Sequence, residues 1–254
     1  MFMVIILGGI IGLVASFIST LLGGGAGLIA TPAFFYIIVH TYGSHDAMKI
    51  ALATTCAMSI CLSFIATYKH LKKGNIDIGE LKYYLLFLAL GSVIGGFIVK
   101  NIDASMLKHI FASILFLSGI WMLLHNDTKI IKMPRIIEYA ISSLCGLLSV
   151  LATSTTFATM FFIKIGTEIK KAISISSVCV MINSSIATVI LIYCINTDVP
   201  NTYGYVSIPL LLSSAPFAFI GSIMAIKYLS VISPKVLKWL FIALMFVSAL
   251  VMSL

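Results

Sequence analysis

The chain has 254 residues, of which 61% are hydrophobic and 9% charged, with a mean hydropathy of +1.16 and a formal net charge of +8. A charged fraction so far below the ~25% of soluble domains, together with several apolar runs near the ~20 residues that cross a bilayer, defines an integral membrane protein. In this setting the sixteen Lys and Arg serve orientation and lipid headgroups, which excludes a nucleic-acid role.

The first apolar stretch runs from Phe2 to Val39 without a charge and is interrupted by Gly23-Gly24-Gly25-Ala26-Gly27. Residues 1–9 lack the positive start of a signal peptide, so the stretch is expected to stay in the mature protein. Glycine costs about 1 kcal/mol against alanine inside a helix, and freed backbone groups at membrane depth must face protein or a water-filled cavity. The break therefore reads as a transport site. At a hairpin tip, Gly23, Gly24, Gly25 and Gly27 can adopt positive φ and bring N–H groups against a ligand, at the positive end of the helix that follows.

Further apolar segments follow at roughly 47–68, 82–99, 105–124, 136–151, 157–164, 172–194, 204–227 and 232–253. Those at 27–39 and 157–164 are too short for a ~30 Å core and suit re-entrant or broken helices. If each short segment forms a hairpin with its predecessor, thirteen basic residues fall on one side: Lys69, Lys72, Lys73, Lys82, Lys129, Lys132, Arg135, Lys164, Lys170, Lys171, Lys227, Lys235 and Lys238. Only Lys49, Lys100 and Lys108 lie opposite. The positive-inside rule then predicts six spans, two hairpins and both termini outside the cytoplasmic membrane. Hairpins that are complete pairs of crossings change no side assignment.

Two stretches repeat in order. KIALATT at 49–55 matches KAISISS at 171–177, and MLKHIFASILFLSG at 106–119 matches VLKWLFIALMFVSA at 236–249. The predicted fold is an all-α polytopic membrane protein of two inverted repeats, 1–125 and 136–254, joined by a loop at 126–135. Each repeat is a hairpin followed by three transmembrane helices, and that odd number inverts the second copy. Aligning Ser19 with Ser149 sets Thr153, Ser154, Thr155 and Thr156 opposite the glycine run. Thr54 and Thr55, matched by Ser176 and Ser177, lie roughly 7–9 Å inside Lys49 and Lys171 at helical rise. They are candidates to complete the ligand shell, although hydroxyls in membrane helices also bond their own i−4 carbonyl. Asn183 is a buried amide one to two turns further on, and a bond between helices explains it equally well.

The hairpin LLGGGAGLIATP at 21–32, the A-x-x-T-T stretch at 51–55 and HLKKGNID at 70–77 resemble the TauE/SafE sulfite exporter family of permeases. The resemblance covers essentially the whole chain. It implies movement of sulfur-containing anions such as sulfite, sulfonates, sulfoacetate or thiosulfate. Members often repeat the Gly-rich signature in the second half, where this chain has Thr153 to Thr156.

No carboxylate is predicted deep in a span, which argues against proton coupling through a buried acid. His70 is a candidate relay at a span end, with an interfacial anchor as its alternative. The five cysteines form no C-x-x-C pair and the histidines no metal pair, so neither cofactor nor metal is expected. An intramembrane enzyme would need an activated nucleophile or deep acid, and the sequence has no G-x-S-x-G elbow. A passive anion channel on the same broken helices is not separable from a carrier by sequence. The expected partners are a small anion and the bilayer, and a homo-oligomer is compatible with the pattern.

Overall fold

The computed structural model describes residues 2–22, 24–72, 78–124, 130, 133–193, 197, 199–228 and 234–253. Ten helices lie among them: α1 Phe2–Leu22, α2 Ala26–Tyr42, α3 Ala47–Lys72, α4 Ile78–Asn101, α5 Ala104–Leu124, α6 Arg135–Leu151, α7 Thr156–Lys164, α8 Ile169–Ile192, α9 Ile208–Tyr228 and α10 Pro234–Ser253. The described strands, β1 (Thr202–Tyr203) and β2 (Val206–Ser207), form a small antiparallel hairpin before α9. The chain is an all-helical, multi-pass membrane protein. Long apolar segments in lipid must satisfy their backbone internally, and the helix does so within one segment.

Six of the described helices, α1, α3, α4, α5, α8 and α9, are long and apolar enough to cross a bilayer. Lipid-facing sides are visible as stripes: on α4 the exposed residues Tyr83, Leu86, Leu90, Ile94 and Phe97 recur at helical spacing. The set of six differs from the one read in the sequence. α1, taken there as a hairpin arm, has 21 residues and at 1.5 Å per residue is about 31 Å long, enough to span alone. The α10 region contributes the shorter apolar stretch Lys238–Ser253. The second hairpin is shallower, because α6 has 17 residues and α7 only 9.

Packing is paired between the halves. α1 lies along α9 and α6 along α4, while α3 packs on α8 and α5 on α10. The register that aligns Ser19 with Ser149 and Phe116 with Phe246 carries individual contacts onto one another. A Cβ at Gly91 would meet Ser143 O at 1.8 Å, and in the other half a Cβ at Gly221 would meet Leu13 O at 2.3 Å. Gly12 approaches the Ser214 backbone, and the matching Ser142 hydroxyl donates to Tyr84 O at 2.8 Å. Phe116 and Phe246 touch each other edge to face at 5.6 Å. Small residues at these crossings let helix backbones approach closely, as membrane helices require where no hydrophobic drive brings them together.

The end of the bundle where α3 begins is covered by the strand hairpin. Ser207 N–H donates to Thr54 Oγ1 at 3.0 Å and Tyr205 N–H to Leu191 O at 3.1 Å. Lys49 fastens the same end. It is 8% exposed, donates to Lys100 O at 3.3 Å, lies 3.8 Å from Asp46 and sits over the Tyr205 ring at 5.3 Å.

Candidate functional site

The two hairpin tips meet inside the bundle. Gly24 and Gly25 have φ of +144° and +100°, values that glycine adopts without strain, and Gly25 caps the start of α2. Both tips close with the same backbone bond: Gly24 N–H donates to Ser19 O at 2.9 Å, and Ser154 N–H to Ser149 O at 3.2 Å. These are the positions that the repeat aligns. Thr153 holds φ +48°, a left-handed conformation that costs a β-branched residue on the order of 1–3 kcal/mol. Its neighbours impose it. Thr153 Oγ1 is 2.9 Å from Thr31 Oγ1, which donates to Thr55 Oγ1 at 3.2 Å, so a chain of three hydroxyls joins the second tip through α2 to α3. The tips can touch because Gly27 has no side chain; a Cβ there would lie 2.0 Å from Thr153 Oγ1 and 2.3 Å from its carbonyl oxygen.

Beside the tips lies a cavity of about 580 Å³. Its walls come from the end of α1 (Ser19, Thr20), both tips (Gly24, Gly25, Thr153, Thr155), α3 from Cys56 to Ala66, the end of α6 (Ser149, Val150), α8 from Ile173 to Ser184, and α9 near Phe219 and Ser222. None of its described lining residues carries a formal charge. Three of the wall residues keep a buried side-chain atom without a partner: Ser149 Oγ, Thr155 Oγ1 and Asn183 Nδ2. The three residues are only 4%, 5% and 3% exposed. A polar group buried without a partner costs about 1–3 kcal/mol, so three such atoms among the residues of one wall single that wall out. The first N–H groups of α2 and α7 lack intrahelical acceptors and add two positive dipole ends at the tips.

The candidate residues divide. Gly24, Gly25, Thr153, Thr155 and Ser177 line the cavity. Gly27 forms the contact between tips, and Ser154 and Thr156 bond each other at 2.9 Å. Thr55 is buried in the hydroxyl chain, and Ser176 is fully buried, 4.0 Å from a Cβ placed at Gly24. Thr54 is turned away: its hydroxyl donates to Ile50 O at 2.7 Å and accepts from Ser207 N–H. Adjacent helix positions point about 100° apart, so neighbours that read alike in sequence serve different contacts. Gly23 and the His70 side chain lie outside the described residues.

Sequence reasoning missed Thr31 and treated Ser149 only as an alignment mark. For Thr31 a signal existed, since it stands four residues after Gly27 on the same face of α2. Asn183 makes the bond between helices weighed for it, Ser92 on α4 donating to its Oδ1, while its Nδ2 is buried without a partner and the residue lies on the cavity wall. Thr54→Val is expected to lower stability by about 1–2 kcal/mol, because it strands the Ser207 N–H, and to leave the substrate KM unchanged. Thermal unfolding in detergent and flux in proteoliposomes check this; a raised KM would return Thr54 to the ligand shell.

Spanning helices around an uncharged, largely apolar cavity bordered by two hairpin tips are an architecture suited to a membrane transporter. The chain belongs to the TauE/SafE sulfite exporter family, which matches residues 8–252. It is 30% identical to a "Probable membrane transporter protein" of Methanocaldococcus jannaschii over 96% of this chain and 94% of that one. A second protein of that description, from Haemophilus influenzae, is 30% identical over 44% of this chain and 41% of its own. A third, from Bacillus subtilis, is 32% identical over 45% of this chain and 43% of its own. No solved structure matches the chain.

Proposed function

We propose that the protein is a secondary carrier for a small sulfur-containing anion, such as sulfite, a sulfonate, sulfoacetate or thiosulfate, held where the two hairpin tips meet. The observation that carries this reading is that three residues of one cavity wall, Ser149, Thr155 and Asn183, each keep a buried side-chain atom without a hydrogen-bond partner. Backbone N–H groups, hydroxyls and an amide can all donate to an anion, and two helix dipoles favour its charge. Gly24 and Gly25 contribute backbone, whereas Thr155 contributes its side chain.

The paired contacts support two inverted repeats, 1–125 and 136–254, joined at 126–135, that rock about the shared site. In this reading the protein sits in the cell membrane with both termini outside and transports its substrate without chemically transforming it. Saturable flux with counterflow in proteoliposomes loaded with sulfite or thiosulfate tests the carrier. Flux that rises linearly and shows no counterflow would identify a channel instead. Thr155→Val is expected to raise the substrate KM by roughly 10- to 100-fold, since a hydrogen bond to a charged group is worth about 1.5–3 kcal/mol. An unchanged KM in that variant would remove Thr155 from the site.

A further inference from the structure

The cavity is much larger than the site at its tips needs. An inorganic oxyanion is a few atoms across, and one water takes about 30 Å³, whereas the cavity offers about 580 Å³. That volume falls within the range of roughly 300–1,000 Å³ typical of sites for drug-sized organic ligands. Its wall chemistry is also divided. Among the wall residues, Ser149, Thr155 and Asn183 carry unpartnered buried polar atoms, while Leu62, Val150, Ile173 and Val180 are apolar. Water confined against apolar walls gains few hydrogen bonds, so filling that part with hydrocarbon is favourable.

We infer that the preferred substrate is an organic anion with one acidic head and an apolar body of several carbons. The head takes the donors at the tips and the body lies against α3 and α8. The site then reads chain length and a single acidic group, so that a sulfonate and a carboxylate of equal length are both accepted. This rests on the proposed anion site, and the test separates the two.

The purified full chain in nanodiscs is titrated by thermal shift with sodium alkanesulfonates and alkanoates of one to six carbons. Sulfite, sulfate, thiosulfate and neutral hexanol are run alongside. The expected result is affinity rising about fourfold per methylene in both acid series until the walls are filled. The six-carbon acids then exceed every inorganic anion. Val180→Thr keeps the shape of the wall but adds a hydroxyl, and is expected to flatten the chain-length slope. Inorganic anions binding as tightly as the six-carbon acids would overturn the inference and leave the anion site standing. So would an equal gain from hexanol, which would mark partition into lipid. Stabilisation by none of the anions would overturn both the inference and the proposed site.

Discussion

Valine at Gly24 or at Gly25 is expected to abolish transport while the protein still inserts at close to its normal amount. Both residues occupy backbone conformations that a β-branched side chain reaches only at a cost on the order of 1–3 kcal/mol. The space is closed as well. A Cβ at Gly24 would lie 2.7 Å from Thr155 Oγ1, and one at Gly25 would lie 3.0 Å from the Phe241 ring and 3.2 Å from Leu28. The first of these strikes one of the three unpartnered groups in the cavity. The second shifts the start of α2, where Gly27 lies against Thr153 of the other tip. Gly43 supplies the control. It has φ +61° at the end of α2 with nothing within 4 Å of a Cβ, so Gly43→Ala bears only the backbone cost and retains flux. Normal flux in both valine variants would remove the tip from the transport path.

Valine at Gly91 or Gly221 is expected to lose most of the folded protein, by a different route. These glycines stand where α4 crosses α6 and α9 crosses α1, and the atoms they would strike are backbone oxygens of the facing helix, at 1.8 Å and 2.3 Å. A side chain can rotate away, but a backbone in a packed helix cannot, so the helices must part. Overpacking of this kind costs about 3 kcal/mol or more, which corresponds to a fall in Tm of roughly 6–12 °C for a chain of this size. The yield of monodisperse protein after detergent extraction and its unfolding midpoint are the measurements. Gly96 is the comparison, because a Cβ there meets the flexible end of Ile190 at 2.7 Å, and Gly96→Ala is expected to be tolerated. Equal losses at Gly91 and Gly221 would support the repeat; loss at one site alone would count against a shared geometry.

The tips were legible in the sequence because their signal is local. Adjacent glycines in an uncharged apolar run leave few roles, and the second tip followed from alignment through Ser149. The site around them was less legible. Thr31, Ser149 and Asn183 come from α2, α6 and α8, and each alone looks like any small polar residue in a membrane helix. The Thr31 bonds to Thr55 and Thr153, and the unpartnered atoms of Ser149 and Asn183, become visible only when neighbouring helices are in place. Thr54 and Thr55 show the same limit at closer range, since one hydroxyl fastens the strand hairpin and the other joins the tips.

Composition and the spacing of apolar runs determined by themselves that the chain lives in a bilayer, that it is helical, and that its continuity fails near Gly24 and Thr153. Hydrophobic length and glycine's missing side chain act within a few residues, so no fold is needed to read them. Tertiary structure alone decided that the tips touch through Gly27 and Thr153, and that a cavity with both polar and apolar walls lies beside them. Those outcomes depend on how closely separate helices approach, which is set by contacts such as Gly91 with Ser143 and Gly221 with Leu13, between residues far apart in the chain.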